Sequence, residues 1–438
     1  MRTCVIGGGL MGMAIARKLA DDGVNVTVLE RGEQLGGLAT WQDFGGFFWD
    51  RFYHVILPSD RNLIKFVEEL RLTEELEWRR TFTGFYVDRK LHSISTNMEF
   101  LRFPLLSLLS KARLAWTMLY CSRIDDWKRL EKISAEDWLI KVSGRDTYEK
   151  LWKPLLLAKL GENYKRVSAV FIWSYIKRLF SARDRSASAE HLGHVNGGYK
   201  LIFERLVADI MAAGGTIKTG VTVSSVRHGR DGGLSVVVSD REEEFDEVIC
   251  TSPVSVLRQI TAPELLNSNS GGAEVEYLGV ICVVVISRTA LVPYYVVNIA
   301  DESIPFTGMI GMSTVVDSRN TGGRFLTYLP KYVLSTDAEL TRSDADIEEE
   351  FMGGLRRMLP DYDLSQIERV YVNRAFKVQP LQVLDYSRLV PQVTTNHPNF
   401  YVLNTSQFVN ATLNNNEVIG AVNRFYDNYR MSKDKQAA

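Results

Sequence analysis

Close cysteine pairs are missing. The four cysteines, Cys4, Cys121, Cys250 and Cys282, lie far apart and form no C-x-x-C, which argues against a zinc knuckle or a disulfide framework and fits a reducing cytosol. Histidine is equally sparse: six occur in 438 residues, none at metal-ligand spacing, so no metal site is expected. No apolar run reaches the roughly 20 uninterrupted residues that span a bilayer; the longest, residues 103–120, is broken by Lys111 and Arg113. The first residues lack the charged-then-apolar layout of an export signal, so a cytoplasmic location is expected. Neither charge is in excess, 52 basic against 53 acidic side chains leaving −1, and nucleic acid is not an expected partner.

What remains is an ordinary globular composition, 45% hydrophobic and 24% charged, in a chain long enough for two hydrophobic cores. No internal repeat occurs at a fixed period. Residues 3–6 form a short β-rich run, followed by Gly7-Gly8-Gly9-Leu10-Met11-Gly12 and then Ala14, Ile15, Ala16, Leu19 and Ala20 at helical spacing. Glycine at 7, 9 and 12 makes G-x-G-x-x-G between a strand and a helix, the context in which it marks a dinucleotide site: a tight turn, close approach to a pyrophosphate and close helix packing. The helix start at Leu10, Met11 and Gly12 then faces the phosphates. A second strand over 25–29 ends at Glu30, where a carboxylate can take ribose hydroxyls.

Glu30 runs directly into Arg31 and, after four residues, Gly36-Gly37-Leu38. E-R-x-x-x-x-G-G after such a fingerprint resembles the flavin superfamily of amine oxidases, protoporphyrinogen oxidase, phytoene-type desaturases and UDP-galactopyranose mutase. The resemblance implies FAD, with Gly36 and Gly37 letting the chain pass close to the flavin diphosphate and ribityl. The run Phe44-Gly45-Gly46-Phe47-Phe48-Trp49-Asp50 is similar to the strand that places an acid, here Asp50, beside the cofactor in that group. Further on, Gly197-Gly198 before a helix, a strand bearing Val223, and Val248-Ile249-Cys250-Thr251-Ser252-Pro253 resemble the return to the FAD domain. There the valine meets adenine through its backbone and Thr251 lies by the cofactor. The last strand, reaching Asn404, and a helix from Glu417 to Tyr429 would return to the flavin edge, with Asn414, Asn415 and Asn416 at the helix start as caps. The family's glycine-rich version of this last turn is absent here.

Between these segments residues 104–182 show helical periodicity, with Trp116, Trp127, Trp138, Trp152 and Trp173 recurring among leucines. Residues 184–189 read as a mobile connection, 240–244 as an acidic turn, and 278–286 as the start of the substrate domain's sheet. The expected fold is α/β: a Rossmann-type FAD-binding domain over 1–85, 190–265 and 395–438, plus a mixed-sheet substrate-binding domain over 86–189 and 266–394 that is mainly helical over 100–182.

Flavin chemistry needs only a bond placed against the ring and protection from competing reactions. His54, shortly after Asp50, and Lys377, on a strand facing the expected cavity, are the catalytic candidates; Gln379, Tyr328, Lys331 and Tyr332 are also placed there. The expected reaction is dehydrogenation or desaturation of an organic molecule, hydrophobic or isoprenoid-like, by hydride transfer to flavin N5. Two alternatives stand beside it: a redox-neutral enzyme acting on a nucleotide sugar, motivated by His54, and a non-catalytic flavin-binding protein. Residues 103–120 read as packing inside the helical region, with a membrane-resting face for a lipid-like substrate as the alternative. A second Rossmann fingerprint for a nicotinamide cofactor is missing. The electron acceptor and oligomeric state stay open.

Overall fold

Short apolar runs rich in β-branched residues, such as 26–29, become strands buried on both faces. The computed structural model describes residues 1–182, 190–267 and 274–437; the connection expected at 184–189 lies outside the described residues. Five parallel strands form the first sheet, in the order Phe400–Val402, Glu247–Cys250, Arg2–Ile6, Asn25–Leu29 and Thr216–Lys218. Val5, Val26, Val28 and Ile249 point to one face, covered by the helices Leu10–Asp21, Arg61–Glu69, Gly198–Ala212 and Asn415–Ala437. Cys4, Ile6, Leu29, Val248 and Cys250 point to the other, against a meander of Val223–His228, Leu234–Val238 and Arg241–Phe245.

The third meander strand corrects the acidic turn expected at 240–244. The turn itself is Ser239 and Asp240, at φ 46° and 66°, and the glutamates that follow stand on an edge strand, where charge is tolerated. Glu243 pairs with Lys218 at 2.8 Å and Glu242 accepts from Ser235 Oγ.

A seven-stranded mixed sheet runs Ile367–Pro380, Tyr277–Ser287, Phe325–Leu334, Gly308–Gly311, Val296–Ile299, Thr83–Val87 and Lys90–Ser93. Its strand Tyr277–Ser287 is buried throughout. Ile281, Val283 and Val285 pack on Ile347, Phe351 and Leu355 of the helix Asp344–Met358. Val280, Cys282 and Val284 face Phe44 and Trp49 instead. The strand Thr83–Val87 crosses residue 85, the expected end of the first FAD-binding segment, yet pairs with Val296–Ile299 of this sheet. A two-residue turn at Asp88 and Arg89, both at positive φ, ties it to Lys90–Ser93, so the hairpin stays together.

The region read as helical contains Asn97–Arg102, Leu108–Cys121, Ala135–Ser143, Lys153–Leu160 and Ala169–Ala182, with Trp138, Trp152 and Trp173 in one apolar cluster. Internal packing holds for only half of Leu108–Cys121. That helix buries Ser110, Lys111, Leu114, Thr117 and Cys121, and exposes Leu108 (74%), Leu109 (70%) and Trp116 (60%). The reason is Lys111, whose Nζ donates to the Leu101 carbonyl at 2.7 Å: with its charge turned inward, the helical period turns the leucines outward.

All four cysteines are buried and unpaired, burial pushing the thiols of Cys250 and Cys121 up to about 11 and about 12. Because the thiolate is the reactive form, iodoacetamide at about pH 8 should label none of them in the native protein and all of them after unfolding in guanidinium. A native cysteine found labelled by intact-mass spectrometry would contradict this packing.

Candidate active site

The strand Arg2–Ile6 ends at Gly7, whose φ of 111° suits glycine. A Cβ there would lie 2.4 Å from Thr251 Oγ1, which donates to the Ile6 carbonyl at 2.9 Å. A Cβ on Gly12 would lie 1.9 Å from the Gly7 carbonyl oxygen, so the helix Leu10–Asp21 can approach the turn only with glycine here. The second glycine pair docks on the first: Gly36 N–H donates to the Gly8 carbonyl at 3.0 Å, and Gly9 and Gly36 form a parallel bridge. Gly36 and Gly37 both take positive φ and lead into the short turn Gly37–Ala39, which carries Leu38.

Three features of this cradle fit an adenine dinucleotide. A Cβ on Gly9 would meet nothing nearer than 4.0 Å, which leaves room beside the backbone. The helix Leu10–Asp21 has no side-chain cap and no acid in its first turn, so the N–H groups at Leu10, Met11 and Gly12 are left to an anion. Glu30 is held by Gly8 N–H and Gly32 N–H, both at 2.7 Å, and its carboxylate oxygens keep lone pairs for ribose hydroxyls. Val221 N–H donates to the Glu30 carbonyl at 3.0 Å, so the strand that starts at Val223 runs beside that acid. Arg31 is exposed at the same strand end.

Other expected cofactor side chains are committed elsewhere. Asp50 is buried; its Oδ1 accepts from Tyr199 N–H at 2.9 Å, at the start of the helix Gly198–Ala212. Asn404 accepts from Ser406 N–H and donates to the Ser252 carbonyl, both at 3.1 Å. Asn416 Oδ1 accepts from Asn62 N–H at 2.9 Å and Leu63 N–H at 3.2 Å, capping a neighbouring helix, while Asn414 caps its own helix through Glu417 N–H. These bonds tie the side chains of Asp50, Asn404 and Asn416 into the fold. Asn415 faces the Tyr199 phenol.

The catalytic candidates separate in the same way. His54 packs at a tilt of 56° against Tyr199, ring centroids 5.0 Å apart, with Nδ1 3.6 Å from Asp50 Oδ2. Lys377 donates to Ser255 Oγ, joining the strand Ile367–Pro380 to the helix Val254–Ile260 beyond Thr251. Lys331 turns to Glu339 at 3.0 Å, and Gln379 is buried. Tyr328 donates to the Asp50 carbonyl at 2.5 Å, tying the seven-stranded sheet to the cradle side.

The structure also assembles a group that sequence reasoning missed. Tyr53 and Tyr332 share a 2.7 Å hydrogen bond between their hydroxyls. Lys159 Nζ donates to Tyr175 OH and lies 5.3 Å from the Tyr332 ring centroid. Burial works against ionising Tyr175, but the Lys159 ammonium and its hydrogen bond outweigh that and draw the phenol below its ordinary value. Burial likewise opposes the Lys159 charge, and the oxygens of Tyr175 and Tyr332 overcome it and raise the amine. The available signal was polar residues inside two apolar helical stretches: Lys159 in Leu155-Leu156-Leu157-Ala158-Lys159-Leu160, and Ser174 with Tyr175 in Ile172-Trp173-Ser174-Tyr175-Ile176.

A parallel sheet with this cradle at the end of its first strand defines a dinucleotide-binding protein of the flavoprotein kind. The family model described as flavin containing amine oxidoreductase matches residues 10–405, and the chain belongs to that family. It is an FAD-dependent oxidoreductase with an amine oxidase-type α/β fold. The chain is similar to 15-cis-phytoene desaturase of Synechococcus elongatus, 34% identical over 80 residues, a stretch covering 18% of this chain and 17% of the desaturase. Among solved structures it resembles an oxidoreductase from Methanosarcina mazei, with a TM-score of 0.73 and 19% identity over 98% of this chain and 100% of that one. It also resembles wild-type putrescine oxidase bound to putrescine, with a TM-score of 0.72 and 13% identity over 98% of this chain and 99% of that one. At these identities the structural likeness speaks to the fold.

Gly9 supplies a direct check on the cradle. Its φ of −76° suits alanine and the added Cβ has room in the protein alone, so Gly9→Ala should melt within about 1 °C of wild type without cofactor. The same methyl would occupy the space beside the pyrophosphate, so FAD affinity should fall at least about tenfold by equilibrium titration. Unchanged FAD affinity would show that the cofactor lies elsewhere.

Proposed function

We propose that this enzyme dehydrogenates or desaturates an organic substrate held against the cradle-side face of the seven-stranded sheet. The observation that carries the reading is the join between that face and the FAD cradle: Tyr328 bonds the Asp50 carbonyl, and Tyr53, three residues on, bonds Tyr332 of the same strand as Tyr328. Backbone N–H groups at Leu10, Met11 and Gly12, the Glu30 carboxylate and the glycines at 9, 36 and 37 would hold FAD. When bound, FAD supplies the two-electron acceptor for a hydride at its N5. The rings of Tyr53 and Tyr332, which keep accessible surface, exclude water and orient the carbon that loses hydrogen.

A second observation bears on how an apolar substrate arrives. Leu101, Leu108, Leu109 and Trp116 are exposed on two helices pinned together by Lys111, and Arg102 and Arg113 are exposed beside them. We read this patch as a face that rests on a lipid surface from the cytoplasmic side; no described helix is long and apolar enough to cross a membrane.

Two experiments test these readings. Purified holoenzyme, mixed anaerobically with candidate donors that include allylic isoprenoids and amines, should lose its flavin absorbance near about 450 nm with at least one class. Turnover of a UDP-sugar that appears only after the flavin is chemically reduced would favour the redox-neutral alternative and sink this one. For the patch, Leu108→Ser with Leu109→Ser should weaken co-sedimentation with phosphatidylglycerol-containing vesicles by about tenfold or more, and wild-type protein that stays in the supernatant would refute it.

A further inference from the structure

Among the described residues Lys159 is a cation without a carboxylate partner in a place otherwise finished with care. Its nitrogen is enclosed by the helix Lys153–Leu160, Tyr175 and Tyr332, yet Lys159, Tyr175, Tyr332 and Tyr53 each keep some accessible surface. Side chains surrounded by protein that still reach accessible space line an internal crevice. Among the described residues no carboxylate lies within 4 Å of Lys159 Nζ. The acids in this region have other work: Asp60 pairs with Arg178 at 3.2 Å and accepts from Leu57 N–H at 2.9 Å, and Glu190 accepts from Thr83 Oγ1 at 3.3 Å. A neutral phenol accepts one of the three ammonium N–H bonds but offers no opposite charge. The oxygens of Tyr175 and Tyr332 offset the burial of this ammonium, and an anion would pair with the charge that neutral phenols leave unmatched.

We propose that Lys159 is the anchoring residue for an oxyanion carried by the substrate, a carboxylate or a phosphate, with Tyr175 holding the ammonium in place and the Tyr53–Tyr332 pair flanking the bound group. The inference rests on the sheet face being the substrate site and narrows the substrate class. The molecule is amphipathic, with an apolar part directed toward the cradle and an anionic head that ends at the helical layer. Purely hydrocarbon substrates would leave Lys159 unmatched, and simple cationic amines would be repelled by it.

The test uses holoenzyme with FAD bound and reads the visible spectrum of the bound flavin, so it needs no turnover. Benzoate and inorganic phosphate are titrated into wild type, with benzamide as the neutral isostere of benzoate. Wild type should give a saturable spectral change with at least one of the anions, and benzoate should bind about tenfold or more tighter than benzamide. Lys159→Met should weaken the anion by a similar factor and leave benzamide unchanged, whereas Lys159→Arg should retain most of the affinity. Equal anion binding by wild type and Lys159→Met, or no saturable change with either anion in wild type, would overturn the proposal. Should Lys159→Met fail to hold FAD, the comparison of benzoate with benzamide on wild type decides alone. Because flavin reduction is not measured, an anion site can be found even where every donor screened leaves the flavin oxidised.

Discussion

The close backbone contact between the two glycine loops is the constraint on which the rest of the structure depends. Gly12 sits on the Gly7 carbonyl, Gly7 on Thr251, and Gly36 on Gly8. Two stretches from the first 40 residues and a third at Thr251, far along the chain, therefore meet with little more than the Thr251 hydroxyl between them. That contact fixes where the first helix leaves the sheet, and so which N–H groups face the pyrophosphate. It also fixes where Glu30 ends the second strand, and the strand bearing Val223 takes its position from Glu30 in turn. Shape is set here by what is left out of the side chains, since even one methyl at Gly12 would push the helix off the turn.

The two faces of the seven-stranded sheet divide the remaining work. Ile281, Val283 and Val285 are sealed under the helix Asp344–Met358, a closed apolar layer. The opposite face meets hydroxyls as well as hydrocarbon, through Tyr53, Tyr328 and Tyr332, and it is crossed by the helical layer bearing Lys159 and Tyr175. A sheet that is oily on both sides thus presents polar atoms at one end of one side, and orientation becomes available to a bound molecule on that side alone.

The parts of this arrangement that were legible in the sequence are those written in short-range chemistry. The fingerprint, the acid that ends the second strand and the second glycine pair each specify a local turn, and the structure folds all of them as read. What escaped reading depends on partners distant in the chain. Asn416 caps a helix whose residues lie some 350 positions earlier, so a cap was visible but not whose helix it capped. Asp50 was read as a cofactor residue because its strand resembles the family's; its bond to the Tyr199 N–H, on a helix far downstream, could not be read. The strand Arg241–Phe245 was hidden by its charges, which signal a turn by composition and an edge strand only once the neighbouring strand is known. Lys159 and Tyr175 carried only a weak signal, since a polar residue in an apolar helix is ordinarily a surface residue.

The order of strands in the five-stranded sheet carries a consequence for biosynthesis. The amino-terminal strand Arg2–Ile6 pairs on one side with Asn25–Leu29, available almost at once, but on the other with Glu247–Cys250, which itself pairs with Phe400–Val402. A ribosome adding about 5–20 residues per second releases these segments roughly tens of seconds apart, and parallel pairings across such separations are among the slowest to close. The first glycine turn can form early, but the Thr251 side of it cannot. The nascent chain must therefore keep an unpaired apolar strand, with Cys4 and Val5 exposed on it, until more than half of the protein has been made, and a carboxy-terminal truncation that removes residues 400–402 leaves the sheet with a new bare edge.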